Sequence, residues 1–179
     1  MAGSGFIWVI LAVAVYGVIH SLLASLEAKA LAERWFGPEG HRLYRLFFNS
    51  MAVLTFAPVL LLAWRLPDVP LYRIPLPWVL LTLAIQALAV IGLVVGVGQT
   101  GATDFLGLAQ LRGGAAPPHR MVSNGLYRWV RHPLYTCGLA FIWLSPQMSW
   151  NLLGLNLGVT AYLVIGALFE ERKLLREFG

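Results

Sequence analysis

The sequence predicts an all-α integral membrane bundle of five transmembrane helices, the last two forming a tight helical hairpin, with the N-terminus outside and the C-terminus cytoplasmic. Three observations predict it. Of the 179 residues, 59% are hydrophobic and 12% charged, with a mean hydropathy of +0.73, well above the roughly 45–50% apolar usage of soluble domains. Apolar runs near the roughly 20 residues that span a hydrocarbon core recur along the chain. Lys and Arg concentrate on alternate connections between them.

The first run, 5–26, has no basic segment before it and exceeds the roughly 7–15-residue core of a signal peptide, so it reads as a retained helix. The second is 46–64, where Pro58 predicts a kink, and the third is 77–98. The fourth, 134–146, is shorter than a full crossing and turns through "PQMSW" at 146–150 into the fifth, 151–169. Pro133 suits the first turn of that fourth helix, where a missing N–H leaves nothing unsatisfied. The connections are then 27–45, 65–76 and 99–133. The whole chain, 1–179, reads as one membrane domain: three N-terminal spans within 1–98, and a cytoplasmic connection, helical hairpin and C-terminal motif within 99–179. Gly92-x-x-x-Gly96 and Gly154-x-x-x-Gly158 predict small-residue faces for close helix packing.

A net charge of +5 and a pI near 9.8 follow from topology rather than from a nucleic-acid partner. Eleven of the thirteen Lys and Arg residues fall in 27–45, 99–133 and the tail, against Arg65 and Arg73 on the other side. That bias predicts the orientation. No basic patch is interleaved with stacking aromatics, so no nucleic-acid binding is expected. The lone Cys137 excludes an intrachain disulfide.

Polar residues inside spans are costly and invite a functional reading. Asn156 and Thr160, one helical turn apart, are expected to satisfy a neighbouring helix, and Gln86 to make an interhelical hydrogen bond. His20 stacks under Tyr16 near the cytoplasmic half of the first span, where it either bridges helices or lines a substrate cavity. No metal is expected. Haem ligation by two histidines needs a second intramembrane His, and zinc needs three or four clustered ligands. His41 and His119 fall in connections, and His132 stands near only Cys137.

The densest chemistry gathers on the predicted cytoplasmic side: Asp104, Gln110, His119, Arg120, "GLYRWVRHPLYT" at 125–136, and "EERKLLREFG" at 170–179. Glu170 and Glu171 follow directly on the apolar fifth span. On a continuing helix Glu171, Leu175 and Phe178 share one face and Glu170 and Leu174 another. One reading is an interfacial belt in which arginines and glutamates pair and snorkel. The other is a zwitterionic ligand, its carboxylate held by Arg131, His132 or free helix amides and its amine by Glu170 or Glu171. Tyrosine faces suit an aromatic base or a sulfonium. S-adenosylmethionine carries all of these parts.

The motif Gly125-Leu126-Tyr127, Val130-Arg131-His132-Pro133, Tyr135, followed by a hairpin and then Glu170-Glu171, Leu174, Phe178-Gly179, resembles the integral-membrane methyltransferases that include isoprenylcysteine carboxyl methyltransferase and the phospholipid N-methyltransferases. The resemblance covers about 100–179. Within that group "DFLGLAQL" at 104–111 and "SPQM" at 145–148 look most like the bacterial methanethiol S-methyltransferases. "HSLLAS" at 20–25 and "YRLFFN" at 44–49 look like those enzymes and the NnrU-type membrane proteins.

The resemblance implies S-adenosylmethionine bound on the cytoplasmic side and a small or lipophilic acceptor, a thiol or an isoprenylcysteine-like carboxylate, arriving laterally from the bilayer. It makes Gly125, Tyr127, Arg131, His132, Tyr135, Glu170 and Glu171 cofactor-site candidates. His20, Asp104, Gln110, His119 and Trp143 are candidates for the acceptor side. Family members continue past the Phe-Gly with a tyrosine-bearing tail, and this sequence ends at Gly179. The expectation is a methyltransferase; the alternative is a non-catalytic, NnrU-like accessory or sensor protein.

Overall fold

A computed structural model describes residues 3–112 and 122–178, without the side chains at 41, 112, 173, 174 and 176–178. It is mostly helical. The stretches long and apolar enough to cross a membrane are α1 (Phe6–Ala24), Arg42–Arg65 within α2 (Leu26–Arg65), α3 (Trp78–Gln99), and Trp150–Arg172 within α6 (Trp150–Phe178). A short helix, α4 (Ala102–Leu106), follows α3. The fourth expected span is α5 (Pro133–Trp143), whose 11 residues rise only about 16 Å, half a hydrocarbon core. The described residues therefore hold four full-length candidates and one half-length helix. Large apolar side chains such as Trp8, Leu22, Val53, Leu88 and Val94 point outward and are largely exposed. That exterior suits lipid rather than water.

Two expectations about the connections are corrected. The stretch 27–45 is helical rather than a linker. Ser25 ends α1 and caps α2, its hydroxyl accepting from the Ala28 amide at 3.1 Å. The break within α2 falls at Gly37, with φ +65°, a conformation open to glycine. Pro38 then lies at the start of the second segment, where proline is tolerated. Pro58 keeps helical backbone angles. The second correction concerns an all-helical reading: β1 (Pro70–Arg73) pairs antiparallel with β2 (Gln147–Ser149), setting Tyr72 opposite Met148 and Arg73 opposite Gln147.

Asn151, fully buried, fastens that end of the molecule. Its Nδ2 lies 3.2 Å from the carbonyls of Ala63, Leu66 and Pro67, and its backbone amide donates to Asp68 Oδ1 at 3.0 Å. These bonds occupy carbonyls that the end of α2 leaves without helical partners.

Small residues set the helix contacts, as the glycine spacing predicts. A Cβ at Gly92 would stand 2.6 Å from Cys137 Sγ, and one at Gly96 2.7 Å from Leu134, so α3 and α5 meet almost backbone to side chain. Gly154 and Gly158 bring α6 against Phe6, Ile10 and Val13 of α1. The intramembrane polar residues find the partners expected of them. Gln86 donates to the Phe141 carbonyl at 2.8 Å, and Asn156 to that of Ile142 at 2.9 Å. Thr160 donates to the Asn156 carbonyl and accepts from Trp143 Nε1.

Candidate functional site

The site is assembled where α6 runs out past the apolar span and α5 begins. Gly125–Arg128 forms a 3-10 turn. Gly125 has φ +58°, and Gln99 at the end of α3 presses against it, its Oε1 accepting from the Leu126 amide at 3.1 Å. This contact docks the turn against the end of α3. His132 is the N-cap of α5 and Pro133 its first residue, so the residue before proline is held out of the helix and its ring is aimed back across the helix start. Thr136 closes the first turn, its amide and hydroxyl both bonding the His132 carbonyl.

Antiparallel packing of α5 on α6 brings both motifs into one hydrogen-bonded cluster. Arg131 Nη1 donates to Glu171 Oε2 at 2.8 Å. His132 Nε2 lies 3.0 Å from Glu171 Oε1, and its Nδ1 3.5 Å from Glu170 Oε2. Tyr135 donates to that same Glu170 oxygen at 3.2 Å and stacks on His132, rings 9° from parallel with centroids 5.3 Å apart. One imidazole thus bridges two carboxylates, which a neutral ring can serve from only one nitrogen at a time. Glu170 Oε1 takes part in none of these bonds. The Arg131 side chain is 82% exposed while Glu171 is 29% exposed, so the guanidinium offers most of its donors outward. Tyr127 is close enough for the charge of Glu170 to act on its phenol, which burial first and that charge second push above the ordinary tyrosine range.

Of the cofactor-site candidates, Arg131, His132, Tyr135, Glu170 and Glu171 are joined directly; Tyr127 is a near neighbour and Gly125 shapes the turn. The acceptor-side candidates scatter. Trp143 is 11 residues from His132, about 16 Å along α5, and bonds Thr160 instead. Asp104 sits in the first turn of α4, beside Gly101. Gln110 is buried in the 3-10 turn Ala109–Arg112, which packs on α2. His119 lies outside the described residues. His20 stands in an aromatic cluster with Tyr16, Phe48 and Tyr162. Tyr162 in turn lies near enough to Tyr135 for the two phenols to interact electrostatically.

Sequence reasoning missed Gln99 and Tyr162. A polar side chain at the end of α3 looks like an ordinary boundary residue, and its partner is 27 positions away. Tyr162 carried a signal, being a phenol two helical turns before Glu170 in an otherwise apolar run. The open hollow lined by Pro70, Tyr72, Arg73, Gln147 and Leu152 is at the opposite end of α6 and holds no acid–base pair.

A methanethiol S-methyltransferase of Mycobacterium tuberculosis is 27% identical over 172 residues, 92% of this chain and 68% of its own length. Methanethiol S-methyltransferase 1 of Bradyrhizobium diazoefficiens is 28% identical over 177 residues, 95% of this chain and 60% of its own. The chain is similar to the methanethiol S-methyltransferases. A third, from Pseudomonas deceptionensis, is 41% identical over a 54-residue stretch that makes up 30% of this chain and 21% of the relative. The chain thus spans about two thirds of the length of the relatives it matches along most of itself. No family model and no solved structure matches it.

Proposed function

We propose that this chain is a membrane-embedded, S-adenosylmethionine-dependent methyltransferase that methylates a small thiol, with its cofactor site on the cytoplasmic side of a bacterial inner membrane. The observation that carries the proposal is the cluster of Arg131, His132, Tyr135, Glu170 and Glu171 at the mouth of the α5–α6 pair. Its donor set fits the cofactor. Two carboxylates suit an α-ammonium group, an outward-facing guanidinium suits an α-carboxylate, and the Tyr127 and Tyr135 rings suit a base or a sulfonium. The relatives' names favour a thiol over a carboxylate as acceptor.

Bound there, S-adenosylmethionine supplies an electrophilic methyl group. The protein's part is to orient and to exclude water. Glu170, with an oxygen uncommitted in the cluster, holds the ammonium group. Glu171 anchors Arg131 and His132, keeping the guanidinium fork aimed at the carboxylate. Pro133, packed at the start of α5, fixes the direction from which His132 approaches. The orientation, with the N-terminus outside, follows the eleven-to-two distribution of Lys and Arg.

Titration of detergent-purified protein with S-adenosylhomocysteine by calorimetry tests the reading. Wild type should bind in the micromolar range, and a Glu170→Gln, Glu171→Gln double variant should bind roughly tenfold or more weakly, as lost charge-assisted hydrogen bonds require. Absence of wild-type binding up to millimolar ligand would sink it. Binding without methylation of any thiol would leave the alternative, a non-catalytic accessory protein.

A further inference from the structure

The α1–α6 seam changes character along its length. It is closed at Gly154 and Gly158, and again where the Tyr162 ring lies across Gly17, whose Cβ would stand 3.0 Å from that ring. One turn further toward Glu170, Gly166 would meet no atom within 4 Å. Beside the Tyr162 ring stands His20. Its ring centroid is 4.5 Å from Phe48 and 5.8 Å from Tyr162, and its Nδ1 is 3.5 Å from the Tyr16 hydroxyl. Tyr16 itself packs on Phe56 and Tyr162. Among the described residues, the titratable groups in ring contact with His20 are Tyr16 from α1 and Tyr162 from α6, while α2 contributes the ring of Phe48 and, against Tyr16, that of Phe56. Among the described residues, His20 Nε2 has no hydrogen-bond partner.

An intramembrane histidine held at one nitrogen, open at the other, and ringed by aromatics has the chemistry to receive a small sulfur compound. Aromatic rings attract a polarizable sulfur. In the tautomer whose Nδ1–H donates to the Tyr16 hydroxyl, Nε2 carries the lone pair and has no partner among the described residues. We infer that His20 is the acceptor-side base of the site, taking the proton of a small alkanethiol at Nε2; this role rests on the methyltransferase reading above. In that step the S–H bond breaks with its electron pair left on sulfur, and an N–H bond forms at Nε2, giving a thiolate beside an imidazolium. The cation offsets the penalty of exposing a thiolate to an apolar wall. Without such a partner the acceptor stays almost wholly protonated near neutrality, and the thiol is a far poorer nucleophile than the thiolate. Tyr16 is the positioning residue that holds the ring through Nδ1.

The test has two independent readouts. With only four histidines in the chain, ¹⁵N-histidine spectra of the detergent-solubilised protein should show one resonance moving on addition of ethanethiol, without any cofactor, and that resonance should be absent in His20→Gln. In turnover assays His20→Gln should lower kcat/KM for ethanethiol by about 100-fold or more, the range of a lost general base. An aryl thiol already ionised at neutral pH should restore most of the rate, and S-adenosylhomocysteine affinity should stay within about twofold of wild type. Tyr16→Phe, the milder variant if His20→Gln fails to fold, should give a smaller loss with the same rescue. Equal losses for both thiols, or an ethanethiol-insensitive His20 resonance, would overturn the role. Failure of the wild type to bind S-adenosylhomocysteine would instead count against the methyltransferase reading, with the ¹⁵N arm still deciding whether His20 meets the thiol.

Discussion

Replacing Gly125 with alanine should loosen the turn that carries Tyr127 and Arg131 to the carboxylates. Two effects combine. At φ +58° a side chain costs about 1–2 kcal/mol of backbone strain. The new Cβ would also stand 1.9 Å from Gln99 Nε2, so Gln99, a flexible side chain, must swing aside and release the Leu126 amide. A hydrogen bond of that kind contributes about 0.5–1.5 kcal/mol. Together they amount to about 2–3 kcal/mol, or roughly 30- to 150-fold in the opening equilibrium of the turn. Amide exchange at Leu126 and Tyr127 should accelerate by that factor, and S-adenosylhomocysteine binding should weaken in the same direction. Gln99→Ala alone should lose only the hydrogen bond, about 1 kcal/mol. The double variant should be no worse than Gly125→Ala, because Gln99 has already been displaced; the cycle therefore closes with a coupling of about 1 kcal/mol. Additive losses, or unchanged exchange at Leu126 in Gly125→Ala, would refute the account of how this turn is held.

Asn151→Ala should release the end of α2 by about 1–3 kcal/mol, the desolvation left when buried carbonyls lose their donor. Faster exchange for the amides near 66–68 and a lower thermal midpoint should follow, with S-adenosylhomocysteine affinity little changed; normal exchange there would contradict the fastening role. The second expectation concerns alkaline pH. The Tyr127 phenol is pushed up by burial and then by Glu170, so the folded chain keeps its proton longer than the unfolded one. Its contribution to stability is complete below about pH 10, where unfolded tyrosine ionises, and is lost as pH rises from there through the folded value. The thermal midpoint should therefore fall less steeply between pH 9 and 11 in Tyr127→Phe than in wild type, and parallel curves would disprove the coupling.

Much of the helical frame was legible because the signals were local. The predicted spans 5–26 and 77–98 end within two residues of α1 and α3, and Pro133 opens α5 as its chemistry requires. The pairing of Arg131 and His132 with Glu171 was legible as a pair of motifs, although which oxygen meets which nitrogen was not. The misses have a common origin in partners distant along the chain. β1 and β2 are three or four residues each and become strands only by meeting across more than seventy positions, so neither shows an alternating pattern of its own. The segment 27–45 looked like a linker because its charges mask a helix, and because Gly37 and Pro38 together read as a stop. Gly37 does break the helix, but the chain resumes at once. Gln99 and Asn151 act through backbone groups, and a backbone carbonyl or amide leaves no mark in a residue pattern.

The β1–β2 ladder and Asn151 fasten one end of α6, whereas Glu171 stands twenty residues away, about 30 Å along the same rod. Between those ends α6 is braced on α1 at Gly154, Gly158 and Tyr162, so it behaves as a beam held at several points along its length. A disturbance at the strand end meets those braces before it reaches Arg131 and His132, and the two ends of the helix can therefore be altered independently.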